Sequence, residues 1–302
     1  MCSTATTGRN VTERAALLYL LRHSGRRWSA VAEEVEERRS AVAIVRDGPY
    51  GQLDLLASKD TPDQSLDAIE HEIAEWEQEG MRFVMLLDTE YPGQLLMIHQ
   101  RPPFLMWRGS SSDRDARGVA IVGTRKATPE GLQRAEELAA GLARRGITVV
   151  SGLAAGIDTA AHIGALDAGG RTVAVIGTGL RRSYPPQNAK LQDRIATEGM
   201  VISQFLPDAP PTKTSFPMRN AVMSGYAAAT VVVEANWKSG ARMQARLALE
   251  HGRHVFLLES LLKLDWAQDY ARRPGATVVR DVDDLVQQLE AITAPRTELV
   301  WA

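Results

Sequence analysis

Residues 118–158 decide the fold, and they read GVAIVGTRKATPEGLQRAEELAAGLARRGITVVSGLAAGID. The apolar run at 119–122 predicts a β-strand that enters a Gly-Thr-Arg-Lys turn. Thr128 is suited to cap the N-terminus of a helix, and Pro129 is suited to its first position. Apolar residues follow them at helical spacing. A second apolar run at 147–150 leads into another glycine-rich turn. The stretch predicts a βαβ unit in which both strands end in turns of small residues that open onto helices.

Turns of this kind expose backbone N–H groups at helix N-termini, where anions and above all phosphate bind favourably. Three such turns follow three predicted strands, and they are Gly123-Thr124-Arg125, residues 151–156 and Gly177-Thr-Gly179. In a parallel sheet all three lie at the carboxyl edge, where ligands bind. We therefore expect a phosphate-lined groove there, rather than tight turns that serve only the topology.

The rest of the chain continues the alternation of strands and helices, which predicts an α/β fold with a doubly wound, mostly parallel sheet. Helical spacing between residues 11 and 45 predicts a small N-terminal helical domain, with Trp28 as a core anchor. Residues 48–65 are rich in Gly, Asp, Pro and Ser and indicate a connector. We assign the helical domain to 1–70, the main domain to 71–292 and a loose tail to 293–302.

Composition limits the classes of function. A chain of 302 residues with 44% hydrophobic content can pack one large or two modest domains. The net charge of −2 gives no global basic signal, so a polyanionic partner requires locally clustered cations. The single cysteine, Cys2, excludes an internal disulfide framework and a cysteine-rich metal site. No membrane-spanning stretch or signal peptide is evident, so we expect a cytoplasmic protein.

Cofactor motifs are incomplete. Gly177-x-Gly179-x-x-Arg182 lacks the third glycine of a dinucleotide fingerprint, and no Gly-Lys-Ser/Thr sequence ends a P-loop. The histidines are scattered without metal-ligand spacing. We expect no cofactor, no metal and no catalytic residue. Glu234 lies at the end of a predicted strand, and the sequence is compatible with two roles for it. It could act as a general acid or base, or it could cap the following loop.

Basic and aromatic side chains gather in the segments that should reach the same edge of the sheet. A track of cations with rings for stacking is typical of proteins that bind single-stranded nucleic acids. The alternative is that they are ordinary solvated charges and core rings; it is weaker for Arg125, inside a turn, and for Lys213, in a proline-rich loop. These residues are Arg125, Lys126, Arg181, Arg182, Lys213, Arg219, Tyr184 and Phe216.

A series of motifs runs in order between residues 73 and 258. They include Tyr91-Pro92, Val122-Gly-Thr-Arg125, Ser151-Gly-Leu-Ala-Ala-Gly-Ile-Asp158, Tyr184-Pro185-x-x-Asn188, Phe216-Pro-x-Arg219-Asn220, Val233-Glu-Ala and Ser239-Gly240. In kind and order they resemble the motifs of the DNA-processing protein A family, also called Smf. The resemblance implies an extended Rossmann-like fold that binds single-stranded DNA without catalysis, acts as a homodimer and helps to load a RecA-type recombinase.

The resemblance also implies roles for single residues. The family's phosphate-binding arginine corresponds to Arg125, and its basic and stacking residues correspond to Lys213 and Phe216. Together with the patterns above, this gives one set of expected DNA- and phosphate-binding residues. The set is Gly123, Thr124, Arg125, Lys126, Ser151, Gly152, Gly156, Asp158, Gly177, Gly179, Tyr184, Asn188, Lys213, Phe216, Arg219, Asn220, Glu234, Ser239 and Gly240.

Departures from the family pattern keep other functions open. Ala221 follows Arg219-Asn220, where the family usually has a further arginine, so a divergent paralogue used in phage defence is one alternative. A second is a nucleotide sensor or a hydrolase similar to the lysine-decarboxylase-like enzymes, in which Glu234 and Arg125 would handle a ribose-phosphate. The glycine-threonine run of those enzymes is absent. A third is an interaction module that has lost nucleic-acid binding.

Overall fold

The computed structural model describes residues 12–47 and 62–293. The chain forms two compact units, of which the smaller comprises Met1–Tyr91 with Pro102–Met106 and the larger comprises Pro92–Arg101 with Trp107–Ala302. The helix Pro62–Gln78 runs across residue 70, where the sequence suggests a boundary. Most of the predicted connector lies outside the described residues, but the prediction is wrong for 62–65, which begin this helix. The tail after residue 293 also lies outside the described residues.

The smaller unit confirms the predicted N-terminal helices. Thr12 caps the first helix, because its hydroxyl accepts a hydrogen bond from the Ala15 amide at 3.2 Å. The Glu13 carboxylate accepts from the amide of Ala41 at 2.5 Å and so ties the third helix to the first. The elements are the helices Glu13–His23, Trp28–Arg38, Ala41–Asp47 and Pro62–Gln78, strand β1 at Arg82–Met85, and the start of strand β2 at Phe104–Gly109.

Aromatic rings form the core of the smaller unit. Phe83 and Phe104 stack with their centroids 5.0 Å apart, and Trp76 lies 6.0 Å from Phe83. Trp28 is half-buried and contacts Phe104 at 5.4 Å, so it closes this core from its margin. Offset ring pairs of this kind stabilise a core beyond the area they bury, by about 0.5–1.5 kcal/mol each.

The larger unit confirms the parallel α/β sheet. Its strands are β3 Val119–Val122, β4 Val149–Ser151, β5 Thr172–Val175, β6 Met200–Ser203, β7 Ala229–Val232, β8 His254–Leu258 and β9 Ala276–Val279. Its longer helices are Pro129–Arg144, Ile157–Asp167, Ala189–Glu198, Ser215–Tyr226, Gly240–Glu250, Asp265–Ala271 and Val282–Thr293. A short helix, Gly93–Leu96, and 3₁₀ turns at Asp113–Arg117, Pro186–Asn188 and Glu259–Lys263 complete it. None of the helices in the described part of the chain could cross a membrane.

The strand order in this unit is β6-β5-β4-β3-β7-β8-β9, and every neighbouring pair is parallel. Strands β3 to β6 are added in one direction, and β7 then returns to pair with β3. The order therefore reverses between β3 and β7. In open parallel sheets, the crevice at such a reversal, outside the carboxyl ends of the strands, is where ligands bind.

The helix Pro129–Arg144 shows how the sequence builds this core. Thr128 caps it by accepting from the Gly131 amide at 3.0 Å, and Pro129 occupies the first turn. The predicted apolar face is buried against β3 and β4, with Leu138 and Leu142 inside. Each buried leucine contributes about 1.5–3 kcal/mol of hydrophobic stabilisation.

Some boundaries differ from the sequence predictions for local reasons. The strand predicted at 147–150 is Val149–Ser151, because the Ile147 amide still bonds to Leu142 at the end of the preceding helix. The sequence predicts a helix over 218–227 after a proline-rich loop, and this helix begins earlier, at Ser215, whose amide donates to the Thr212 hydroxyl at 2.9 Å. The helix Asp265–Ala271 is not predicted from the sequence.

Candidate functional site

A groove of about 450 Å³ lies at the reversal of strand order. The turn after β3 forms one side of it, the turn after β7 forms the other, and the helix Ser215–Tyr226 supplies a wall. The lining residues from the predicted set are Gly123, Thr124, Arg125, Asp158, Phe216, Arg219, Asn220, Ser239 and Gly240. The tertiary structure thus brings together residues from four separated motifs.

Arg125 stands at the centre of this region, exposed, with its guanidinium carbon 5.2 Å from the centroid of the Phe216 ring. Tyr184 lies on the same ring cluster, with its centroid 5.4 Å from that of Phe216. A smaller hollow of about 80 Å³ beside the three residues is also lined by Gly152 and Gly177. A guanidinium within about 6 Å of a ring face is attracted to the ring electrons.

The turn that carries Arg125 is held by its own backbone. The Thr124 amide donates to the Glu234 carbonyl at 2.7 Å, and the Thr124 carbonyl accepts from the Ile157 amide at 3.3 Å. The Lys126 amide donates to the Thr124 hydroxyl at 3.2 Å. Because these hydrogen bonds hold the backbone of the turn in one conformation, the point from which the Arg125 side chain extends is fixed. Within residues 12–47 and 62–293, Arg125 forms no ion pair.

Arg219 lies below Arg125 and is only 5% exposed. One of its terminal nitrogens lies 3.9 Å from the Asp158 carboxylate and donates to the Val175 carbonyl at 3.3 Å. Its buried Nε has no hydrogen-bond partner among the described residues. Gly152 makes room for this arginine, because a Cβ at that position would lie 1.2 Å from the same terminal nitrogen.

Burial shifts the pKa values of this pair toward their neutral forms. Desolvation raises the pKa of Asp158, although Arg219 and the amides of Ala154 and Gly152 oppose the shift. Desolvation lowers the pKa of Arg219; Asp158 opposes this shift, and the positive charge of Arg125 adds to it. Arg219 and Arg125 therefore repel one another across the groove wall, and an anion between them would relieve the repulsion.

Several backbone amides that the sequence offers to phosphate are already used within the protein. The Thr124 amide bonds to Glu234, the Gly152 amide donates to the Asp158 carboxylate at 3.2 Å, and the Gly179 amide donates to the Ala209 carbonyl at 2.9 Å. For these three amides, the expectation that the turns offer backbone donors to a ligand is wrong. The exposed cations Arg125 and Lys238 and the partly exposed ring of Phe216 line the groove.

Three residues of the predicted set serve the framework around the groove. The Ser151 hydroxyl is buried and donates to the Ile121 carbonyl at 2.6 Å. The Asn188 amide is buried and donates to the Leu153 carbonyl at 2.9 Å. Gly179 is buried against the backbone of residues 206–207. These residues hold the turns in position, and none of them lines the groove or the hollow beside it.

Glu234 acts as a cap. Its carboxylate accepts from the Thr128 amide at 3.1 Å and from the Thr128 hydroxyl at 2.9 Å, at the start of the helix Pro129–Arg144. It does not line the groove. Of the two interpretations left open by the sequence, the geometry favours the structural one, with the helix after β3 as its target.

Lys126 and Gly156 line a further hollow of about 410 Å³ on the other side of Arg125. Lys213 is exposed three residues before Phe216 and lines none of these hollows. Arg181, also expected near this edge, pairs with Asp208 at 2.6 Å. The described residues contain no group of three or more side chains suited to hold a metal ion.

Four residues that belong to none of the sequence motifs also line the groove. Asn236 and Lys238 lie in the turn after β7, and Met243 and Gln244 lie in the helix Gly240–Glu250 that follows it. Trp237 stands exposed between Asn236 and Lys238. A signal is present, since a tryptophan and a lysine directly follow a buried strand. Only the strand order, which the sequence does not reveal, places this turn opposite Arg125.

Comparisons with known proteins agree with this architecture. The model of the family described as DNA recombination-mediator protein A matches residues 82–290. The DNA processing protein DprA of Streptococcus pneumoniae is 38% identical over 208 residues, which are 68% of this chain and 73% of that protein. DprA of Bacillus subtilis is 32% identical over 250 residues, 82% of this chain and 84% of that protein. The match to protein Smf of Synechocystis, 38% identical over 226 residues and 73% of this chain, spans 57% of that protein.

Solved structures give the same result. DNA processing protein A from Streptococcus pneumoniae superposes with a TM-score of 0.72 at 31% identity, covering 91% of this chain and 97% of that chain. The structure of DNA processing protein A from Helicobacter pylori, which concerns the single-stranded DNA binding mode of that protein, has a TM-score of 0.62 at 28% identity. That match covers 70% of this chain and 97% of the Helicobacter chain. The chain therefore belongs to the DNA recombination-mediator protein A family, whose members include the DprA and Smf proteins.

Proposed function

We propose that this protein binds single-stranded DNA along the groove between the turns after β3 and β7. The observation that carries the proposal is the cluster of Arg125, Phe216 and Tyr184, in which Arg125 and Phe216 line the groove and Tyr184 lines the hollow beside it. It offers a cation for phosphate next to rings on which bases can stack. The reported single-stranded DNA binding of the Helicobacter relative supports the same assignment.

The site favours a single strand over a duplex. The base faces that Phe216 and Tyr184 would contact are covered by neighbouring base pairs in a double helix. In a single strand they are free to stack. The cations would contact phosphates, which carry no sequence information, so sequence preference should be low.

The protein acts by binding rather than by catalysis. The two carboxylates nearest the groove are committed: Asp158 is buried beside Arg219, and Glu234 caps a helix through Thr128. The nucleotide-hydrolase alternative is not favoured, because it requires Glu234 to face a ligand.

The family also leads us to propose the wider role. The protein would assist a RecA-type recombinase in DNA uptake or recombination, act as a homodimer and work in the cytoplasm. The family description as a recombination mediator supports the first part. Light scattering of the purified protein tests the dimer, and loading of a recombinase onto coated single strands tests the partner.

Replacement of Arg125 tests the site. Arg125→Ala should weaken binding to an oligothymidylate and reduce the slope of log affinity against log salt by about 0.7, the value for one lost phosphate contact on a single strand. Fluorescence anisotropy at several salt concentrations measures both quantities, and a duplex of the same length should bind more weakly than the single strand.

Lys190→Ala is the matched control, because Lys190 is exposed on the helix Ala189–Glu198 and does not line the groove. It removes the same charge and should leave the affinity close to that of the wild type. If the two variants behave alike, the assignment of the groove is wrong.

A further inference from the structure

Trp237 is exposed in the turn after β7, with 64% of its surface accessible. The core tryptophans Trp76 and Trp266 are each 3% exposed. Most tryptophans are largely buried, and burial of the indole stabilises the fold. Because Trp237 does not contribute this stabilisation, a role in binding is the better explanation of its exposed position.

The ring is held in place from one side. The guanidinium carbon of Arg242 lies 3.9 Å from the Trp237 ring centroid, and an Arg242 nitrogen donates to the Trp237 carbonyl at 2.8 Å. The Asn236 side chain accepts a hydrogen bond from the Lys238 amide at 3.1 Å, which stabilises the turn that carries Trp237. The indole is thus preorganised, with one face against a cation, and a ligand that binds it loses little conformational freedom of the ring.

The turn is continuous with the groove. Asn236, Lys238 and Ser239 line the groove on both sides of Trp237, and the partly exposed Met243 extends the apolar surface. Lys238 is exposed and has no ion pair among the described residues. The last residues of β3 and β7, Val122 and Val232, are direct partners in the sheet, so the two turns start side by side.

We propose that Trp237 is a second base-stacking site, which takes an unpaired nucleobase on the ring face opposite Arg242 while Lys238 contacts a neighbouring phosphate. The inference rests on the proposed function, because the base belongs to the strand that also contacts Arg125 and Phe216. A strand that crosses the groove would then be held by rings at both ends and by cations beside each ring. Short oligonucleotides would engage one ring cluster, and longer ones both.

Oligothymidylates of increasing length, titrated at low salt, test this site. Trp237→Ala should lose about 5- to 150-fold in affinity for the long oligonucleotides, the range that corresponds to one stacked base. The loss should shrink for those too short to reach from Phe216 to Trp237. Intrinsic tryptophan fluorescence of the wild type should be quenched on binding, because the base contacts the indole directly. Trp237→Phe keeps a ring, so it should retain most of the affinity and lose most of the quenching.

Two controls separate stacking from general surface effects. Arg242→Ala should weaken binding of long oligonucleotides more than Arg246→Ala, which removes a charge one turn further along the same helix, where Arg246 pairs with Glu250. Met97→Ala removes another exposed apolar side chain, 80% accessible, that does not line the groove, and it should bind as the wild type does.

The possible failures are distinguishable. If Phe216→Ala and Arg125→Ala weaken binding and Trp237→Ala does not, the second stacking site is wrong, and the exposed ring belongs to a protein contact. A loss in Trp237→Ala without quenching in the wild type would also overturn base stacking. If the wild type binds no oligothymidylate, the proposed function fails, and the inference fails with it.

Discussion

Two arginine–aspartate pairs at opposite ends of the same strands show how one pair of residue types serves two purposes. Arg171 and Asp115, at the amino ends, share two bonds of 2.7 Å. Arg219 and Asp158, at the carboxyl ends, are 3.9 Å apart, and the Nε of Arg219 has no partner among the described residues. The first pair makes two direct hydrogen bonds, whereas the second leaves one donor of its arginine without a hydrogen bond among the described residues.

The environment explains the difference. Asp115 is 2% exposed and also accepts hydrogen bonds from Thr148 at 3.0 Å and Tyr226 at 3.0 Å. Burial alone would lower the pKa of Arg171, but the hydrogen bond and charge of Asp115 outweigh it and raise the pKa. For Arg219, burial prevails and lowers the pKa, helped by the charge of Arg125. A satisfied pair stabilises the fold, whereas an incompletely satisfied cation is suited to receive an anion.

Replacing the arginine of either pair is expected to have the largest effects, and the two replacements should differ in which property they change. Arg171→Met should lower the free energy of unfolding by about 3–5 kcal/mol, because it leaves the buried Asp115 carboxylate without its cation. The affinity of the folded protein for single-stranded DNA should not change. Urea unfolding and fluorescence anisotropy measure the two quantities.

Arg219→Met is the counterpart, and it should show the reverse balance. The loss of stability should be smaller, because the raised pKa of Asp158 eases its neutralisation, and the loss of DNA affinity should be larger. Equal losses of stability in the two variants would contradict the distinction between the pairs.

A buried histidine between the two pairs sharpens the comparison through pH. His162 bonds to the Thr172 hydroxyl at 2.7 Å, next to Arg171, and burial together with the charge of Arg219 lowers its pKa to about 3. Below pH 6.5, the ordinary pKa of histidine, His162 is protonated in the unfolded chain but stays neutral in the folded chain. Stability is therefore fully present above pH 6.5 and is lost as the pH falls toward 3.

Between pH 6.5 and pH 5 this histidine should cost about 2 kcal/mol of unfolding free energy. His162→Gln keeps a hydrogen-bonding group and cannot titrate, so its unfolding free energy should fall less over that interval. His23→Gln, at an exposed site, is the control. An unchanged pH dependence in His162→Gln would show that other groups control the acid loss.

Gly152→Ala has the smallest expected effect on stability. Its Cβ would lie 1.2 Å from a terminal nitrogen of Arg219 and 2.8 Å from the Asp158 carboxylate, so both side chains must shift. Because both clashes involve the ends of side chains and not backbone, the cost should be near the lower end of overpacking, about 1 kcal/mol. Because Arg219 moves, the affinity for single-stranded DNA should fall as well. Gly93→Ala is the control, since a Cβ there meets no atom within 4 Å. Affinity equal to that of the control would indicate that the position of Arg219 does not matter for binding.

Sequence reasoning succeeds where the signal is local. The helix after β3 follows from Thr128, Pro129 and the spacing of its leucines, and the structure confirms it. The placement of Arg125 within a turn at a strand end is equally local. Reasoning of this kind fails for Gly179 and Ser151, whose polar groups bond to segments distant in the sequence.

By itself, the sequence determined the alternation of strands and helices, the carboxyl-edge turns and the family, because short-range periodicity and motif spacing encode them. Tertiary structure decided the rest. It placed β7 beside β3, and with it the turn of Trp237 opposite Arg125. It left Arg219 incompletely paired while it completed Arg171. Strand order and hydrogen-bond satisfaction depend on contacts between distant segments, and no local pattern specifies which donor reaches which acceptor.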